Sequence, residues 1–373
     1  MAEDAGMSFV NLSRGDLFPW AALRDAPDVP FGYHTVAGRY LVFLFYASAA
    51  EPAVAAALAA VRGGRHLFDD ERACFFGMGR DPADKAAGRV ADMLPGVRFM
   101  DDASGTAARI CGALAREPGA SGLPGASRPF WLVVDPTLHV LANVPLGAGP
   151  EDHEAVLRML RELPAPKDYA GFELPVPVLL LPNVFDRALC RHLVGLYDAD
   201  GGSESGIYRN GVGVNDHSFK RRRDFTIEDP QLIRRLQGTI ARRVLPEIER
   251  IFFTKVTRME RYIVGCYAAE DNAHFRPHRD NGPGLTAHRR YAVSINLSED
   301  FDGGEVSFPE YSQRGIKAPQ GWAVVFPAAI LHAVSRVTYG RRYAFLPFVY
   351  DEAGAKIREE QLRSLGMLSA AAE

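Results

Sequence analysis

The sequence predicts two domains of different class. An α/β layer spans residues 1–162, a linker covers 163–173, and a jelly-roll barrel, a double-stranded β-helix, spans 174–373. At 373 residues the chain exceeds the usual size of a single hydrophobic core. Its first half alternates strand-like apolar runs with helical patterns, whereas its second half ends in short apolar runs divided by Gly and Pro turns.

In the first half, Tyr40–Tyr46 (YLVFLFY) reads as a buried strand and Pro52–Val61 (PAVAAALAAV) as an Ala-rich helix. Cys74–Met78 and Phe130–Val134 (FWLVV) read as further strands, with Leu138–Val144 pairing back against the latter. Glu151–Leu163 places Val156, Leu157, Leu160 and Leu163 at helical spacing. The turn-rich stretch from Pro164 to Gly171 is the linker. Beyond it, Leu179–Phe185 opens the second domain as a short strand, and helices are expected over Arg187–Tyr197 and Gln231–Phe253. The polar stretch Asp198–Arg223 reads as a loop, and its Gly211-Val212-Gly213 lacks the strand–turn–helix setting of a nucleotide fingerprint. Strands follow at Tyr291–Leu297, Val306–Phe308, Gly321–Phe326 and Tyr343–Tyr350.

Chemistry concentrates in His278-Arg279-Asp280, His332 and Arg341-Arg342. Two imidazoles and one carboxylate on one face of a metal leave the opposite positions open, as a non-haem Fe(II) oxygenase requires. In an extended segment residues 278 and 280 share a side. His274, at even spacing from His278, is not excluded by that geometry. A lone H-x-D recurs by chance, and its bland reading is an exposed loop pair. His288, His217 and His192 have no partner at ligand spacing, so their default is surface or satisfied core. The run Lys220–Arg223 is by default a solvated face, with Arg222 or Arg223 at a substrate mouth as the minority reading.

The stretches HFRPHRD, INLSEDFDGGEVSFPE and APQGWAVVFPAAILHAVSRVTYGRRYAFLPF carry a resemblance. Over residues 173 to 352 the chain resembles the prolyl 4-hydroxylase-like branch of the Fe(II)/2-oxoglutarate dioxygenases. The resemblance implies His278, Asp280 and His332 as iron ligands and favours His278 over His274. It implies Arg342, ten positions after His332, as the anchor of the distal carboxylate of 2-oxoglutarate, and Tyr267 as a second contact to it. The interval from Tyr267 to His278 is longer than the family pattern. A guanidinium offers a planar, permanently charged fork for a carboxylate. Neighbours on a strand face opposite sides, so only one of Arg341 and Arg342 enters the barrel. Related halogenases replace the carboxylate ligand by a small residue; Asp280 is retained, which implies hydroxylation of an amino-acid residue, a free amino acid or a small metabolite. O2, succinate, CO2 and ascorbate as an auxiliary belong to the same expectation. The competing class is a non-catalytic sensor or interaction protein that binds iron and 2-oxoglutarate without turnover.

The first half resembles a peroxiredoxin or thioredoxin-like fold through Gly15-Asp16-Leu17-Phe18-Pro19, GRYLVFLFYASAAEP and RPFWLVVDPTLHVL. Where a peroxiredoxin carries its reactive Cys, this chain has Ala47-Ser48-Ala49-Ala50-Glu51, and a hydroxyl cannot replace a thiolate. Cys74 and Cys111 lack C-x-x-C spacing and read as buried structural thiols. The domain is therefore expected to be redox-inactive: a scaffold, a substrate-recognition module or a homodimer surface.

A net charge of −3 gives no general attraction to nucleic acid or anionic membrane. No apolar run of about 18 residues and no leader pattern is visible, so a cytoplasmic protein is expected. Four scattered Cys fit reduced thiols and not a disulfide framework.

Overall fold

A computed structural model describes residues 9–29, 31–116, 126–209 and 212–367. Gly211 of the Gly-Val-Gly triplet lies outside the described residues, as do residues 1–8 of the first expected domain and 368–373 of the second. The chain divides into two units: Met1–Leu174 with Glu310–Ser312, and Pro175–Pro309 with Gln313–Glu373. Among the described residues no helix is long and apolar enough to cross a membrane.

The first unit is built on a five-stranded sheet of β1 (Tyr40–Tyr46), β2 (Ala73–Gly79), β3 (Val97–Asp101), β4 (Phe130–Val134) and β5 (Val140–Pro145), in the order β3-β2-β1-β4-β5. β1, β2 and β3 are parallel, whereas β4 and β5 join antiparallel. All seven residues of β1 are buried, so both faces of this central strand need cover. On one face Tyr40, Val42 and Leu44 meet Val54, Leu58 and Val61 of the helix Pro52–Gly63 and Val156, Leu157 and Leu160 of the helix Glu151–Glu162. On the other, Phe43 stacks with Phe18 and Phe76 and meets the edge of Tyr33. Residues 163–169 lie against this unit: Tyr40 Oη donates to Pro164 O at 3.0 Å, and Tyr169 packs on the same core. The sequence reading missed β3, because Arg98 and Asp101 break its apolar pattern.

The second unit contains, in order, β6 (Leu179–Leu181), β7 (Ser203–Glu204), β8 (Ile207–Arg209), β9 (Val212–Val214), β10 (Lys220–Arg221), β11 (Arg223–Thr226), β12 (Arg258–Glu260), β13 (Ile263–Ala268), β14 (His274–His278), β15 (Tyr291–Asn296), β16 (Phe301–Asp302), β17 (Val306–Phe308), β18 (Ser312–Ile316), β19 (Ala323–Pro327), β20 (His332–Val334), β21 (Tyr339–Phe345) and β22 (Phe348–Tyr350). One sheet runs β10-β14-β20-β17-β18, and a larger one runs β12-β22-β15-β21-β13-β11-β7. This β-rich arrangement is consistent with a jelly roll.

Alternation along the larger sheet decides what lies where. Val264, Cys266, Val293, Ile295, Tyr343 and Phe345 join a core with Leu189, Leu193, Leu236, Ile240 and Ile248 from the helices Arg187–Asp200, Pro230–Arg243 and Leu245–Phe252. Their strand neighbours Tyr267, Ser294 and Arg342 point the other way, into a pocket.

Three expectations need correction. The single helix over Gln231–Phe253 is two helices, broken at Val244 because Pro246 has no N–H to continue the ladder. The strand Tyr343–Tyr350 is two strands, interrupted at Leu346-Pro347 for the same reason. The loop Asp198–Arg223 holds four short strands, β7 to β10, whose mixed polar sequence hid their pairing. The chain also adds a helix at Glu352–Ser364, capped by Asp351 accepting from Gly354 N at 2.7 Å.

Candidate metal and carboxylate site

His278 ends β14 and His332 opens β20, two strands that pair so that these residues lie side by side. Asp280 follows β14, its backbone N–H donating to Ala328 O at 2.9 Å. One ligand atom from each of the three lies within 4.8 Å of the others. Asp280 Oδ2 is 3.1 Å from His332 Nε2, and Oδ1 is 3.7 Å from His278 Nε2.

The orientation of both imidazoles is fixed from behind. His278 Nδ1 lies 2.8 Å from Arg276 O, and His332 Nδ1 lies 3.1 Å from Ile330 O. A carbonyl only accepts, so each Nδ1 is the donor and each ring turns its Nε2 into the site. Burial, reinforced by neighbouring His332, pushes His278 down to about 3 and keeps it neutral. Burial alone would raise Asp280, but His332, then His278 and Arg289, outweigh it and hold the carboxylate below its ordinary range. Two imidazoles and one carboxylate are the donor set a divalent iron takes, so the residues present fit the metal.

A β-bulge between Phe275 and His278 separates the two histidine candidates of β14, His274 and His278. It turns residues an odd number apart to the same side, and Phe275 stacks on His278 at 3.5 Å between ring centroids. His274 is left out of the pocket, with Nδ1 2.9 Å from Asn272 O and Nε2 3.3 Å from Ser218 O. His192 and His217 are exposed, and His217 pairs with Glu204. His288 is buried 3.0 Å from Glu260.

The far wall answers the choice between the paired arginines. Arg342 is buried and lines the pocket, whereas Arg341 is exposed and pairs with Glu270 outside it. Arg342 sits opposite Tyr267 in the β13–β21 register, with its guanidinium 5.4 Å from the ring centroid. Its Nη2 donates to Ser294 Oγ at 3.0 Å. Among the described residues no carboxylate lies within ion-pair distance of it. Burial accordingly lowers its affinity for its proton. A buried guanidinium with no anion beside it is a receptor for one. Gly304, in the Gly303-Gly304 turn, makes room: φ is +68°, and a Cβ there would stand 3.0 Å from Arg342 Cδ.

Arg222 also lines this pocket, as the minority sequence reading allowed; Arg223 is exposed and bonds the carbonyls of Gly201 and Gly202. Arg222 is held by Asp224 through Nε–Oδ1 at 2.6 Å and Nη2–Oδ2 at 2.7 Å, and its Nη1 donates to Tyr267 Oη at 3.3 Å. Gly265 lies opposite Asp224, where a Cβ would meet Arg222 Cδ at 3.1 Å. Sequence reasoning missed Phe275, Arg261 and Ser294. The R-x-D spacing of Arg222 and Asp224 was the available signal for that pair; nothing in the sequence pointed to Arg261.

Among curated proteins, a stretch of 53 residues is 53% identical to a PKHD-type hydroxylase of Paracoccus denitrificans, covering 14% of this chain and 23% of that protein. A longer match, 29% identical over 152 residues, covers 37% of the chain and 64% of a PKHD-type hydroxylase of Nitrosomonas europaea. The chain thus spans less than two thirds of the length of these relatives. Among solved structures, a prolyl-4-hydroxylase of Pseudomonas putida is 17% identical, with a TM-score of 0.36 over 47% of this chain and 93% of that one. A prolyl hydroxylase of Trichoplax adhaerens, in complex with a hypoxia inducible factor peptide fragment, is 17% identical, with a TM-score of 0.41 over 48% and 86%. Residues 262–350, which hold Tyr267, the three ligands and Arg342, match the 2OG-Fe(II) oxygenase superfamily, a family that implies Fe(II) and 2-oxoglutarate.

Proposed function

We propose that the second unit is an Fe(II)- and 2-oxoglutarate-dependent hydroxylase. It acts on an unactivated C–H of an amino-acid residue, a free amino acid or a small metabolite. The observation that carries this reading is one pocket holding both a convergent His278–Asp280–His332 set and a buried Arg342 without a carboxylate partner. His278, Asp280 and His332 would hold the metal, and Arg342 with Tyr267 would hold the distal carboxylate of 2-oxoglutarate. Bound Fe(II), 2-oxoglutarate and O2 together supply the oxidising chemistry, with succinate and CO2 as co-products.

The chain's own part is positioning and exclusion of water. Phe275, Phe326, Val306 and Val334 give the pocket apolar walls, which strengthen the Arg342–carboxylate attraction and limit side reactions. The non-catalytic sensor would use the same ligand set, and no feature of the described residues favours it over the hydroxylase.

The first unit, in this proposal, is a thioredoxin-like scaffold without redox activity. Its strand order with three parallel and two antiparallel members supports the class. Ser48, after β1, donates to Asp81 Oδ2 at 2.8 Å and lies 3.1 Å from Asp84 Oδ1, among carboxylates that would oppose a thiolate.

An anaerobic absorbance titration with Fe(II) and 2-oxoglutarate tests the reading without a substrate. A charge-transfer band in the wild type that Asp280→Ala and Arg342→Ala weaken or abolish is expected. A folded, metal-loaded wild type without a band would overturn it.

A further inference from the structure

The pocket holds more cationic charge than one co-substrate carboxylate needs. Arg342 serves one end. Arg261, between β12 and β13, lines the same pocket in another setting. Its guanidinium lies 5.6 Å from the Phe348 ring centroid, and Arg289 stacks on the same ring at 3.8 Å. Arg289 in turn reaches toward Asp280 O at 3.5 Å, so this group adjoins the metal ligands.

Neither nearby acid belongs to Arg261 alone. Asp224 accepts two bonds from Arg222 and a third from Ser205 Oγ at 2.6 Å, and Arg261 Nη2 adds a longer bond to its Oδ2 at 3.3 Å, so Arg261 shares this carboxylate with Arg222. Glu260 is taken by Arg289 at 2.8 Å, His288 at 3.0 Å and Arg358 at 3.3 Å. Burial and then the neighbouring Arg222 bring Arg261 down to about 10, against the pull of Asp224. Its backbone is also unusual, with φ at +68°, a region that non-glycine residues seldom occupy and that persists where the surroundings demand it.

Resting on the hydroxylase reading, we propose that Arg261 anchors the substrate and that the substrate is a small molecule bearing a free carboxylate, such as a free amino acid. The planar fork of the guanidinium matches a carboxylate in two bonds. A peptide interior would offer only neutral carbonyls to a half-buried guanidinium that shares its one carboxylate contact with Arg222. Gripping the acid beside Phe348 would set neighbouring C–H bonds toward the metal ligands.

The test uses the full chain loaded with Fe(II) and 2-oxoglutarate, with the proteinogenic L-amino acids and their C-terminal amides as probes. At least one free acid perturbs the charge-transfer band anaerobically and raises succinate release in air, while its amide does neither. Arg261→Asn, a neutral residue that tolerates positive φ, raises the KM for that acid by about tenfold or more with the band intact. Arg261→Lys restores part of the loss. Amides acting as well as acids, no free acid perturbing an existing band, or unchanged kinetics in Arg261→Asn would each overturn the assignment. Loss of the band in Arg261→Asn would overturn it too, placing Arg261 in co-substrate binding. Absence of the band in the wild type is a different result, and removes the hydroxylase reading itself.

Discussion

Tyr267 and Arg342 face each other across β13 and β21, and the guanidinium of Arg342 lies 5.4 Å from the centre of the Tyr267 ring. The ring gives the cation an attractive face without neutralising it, and Ser294 Oγ accepts a hydrogen bond from it. The pair is therefore pre-set for an anion before any anion arrives.

Removing that charge will weaken 2-oxoglutarate binding. Arg342→Met is expected to lose about 2–5 kcal/mol of co-substrate affinity. Arg341→Met, at an exposed pair with Glu270, changes it by less than about 1 kcal/mol. Titration of 2-oxoglutarate into the Fe(II)-loaded variants reads both, and equal losses would contradict the facing of the two side chains.

Gly304→Ala tests the turn behind Arg342. A methyl at a φ of +68°, 3.0 Å from Arg342 Cδ, should cost roughly 1–2 kcal/mol of stability and also weaken 2-oxoglutarate binding. Thermal melting together with the same titration separates a purely structural effect from a displaced Arg342.

The Arg222–Asp224 pair should contribute to the acid response of the second unit. Burial alone would raise Asp224, but the charge and paired bonds of Arg222, with Arg261, bring it down to about 2. Its unfolded value is the ordinary 3.8, so its contribution is complete above that pH and is lost as pH falls toward 2. Asp224→Ala, which strands a buried guanidinium, should cost about 3–5 kcal/mol at neutral pH. Its melting temperature should change less than that of the wild type between pH 4 and pH 2, roughly the window of the Asp224 titration.

In the first unit, burial and then Asp70 push the Cys74 thiol up to about 12, and burial raises Cys111 as well. All four cysteines are buried. Native protein should therefore resist thiol alkylation at pH 8 and show no thiol-dependent peroxide consumption, both checked by mass spectrometry and a peroxide assay, whereas denatured protein labels readily.

Much of this was legible in the sequence, because the relevant signals are local. YLVFLFY announces a central strand whatever surrounds it, and H-x-D with a later His and a basic residue ten positions on marks the ligands and Arg342. What stayed hidden depends on pairing across long separations. β3 and the short strands of residues 203–221 carry too little apolar pattern to show themselves. Arg261 became visible only once Asp224 and Glu260 were seen to be occupied by other cations.

The irregularity in β14 has one more consequence. Strict alternation would send Phe275 and His278 to opposite sides of the sheet; the extra residue between them brings an aromatic plate flush against a ligand imidazole. Deleting one residue of Arg276-Pro277 would remove that phase shift. The chain would then face a forced choice: keep the imidazole at the metal and turn the aromatic ring out to water, or keep the ring and lose the ligand.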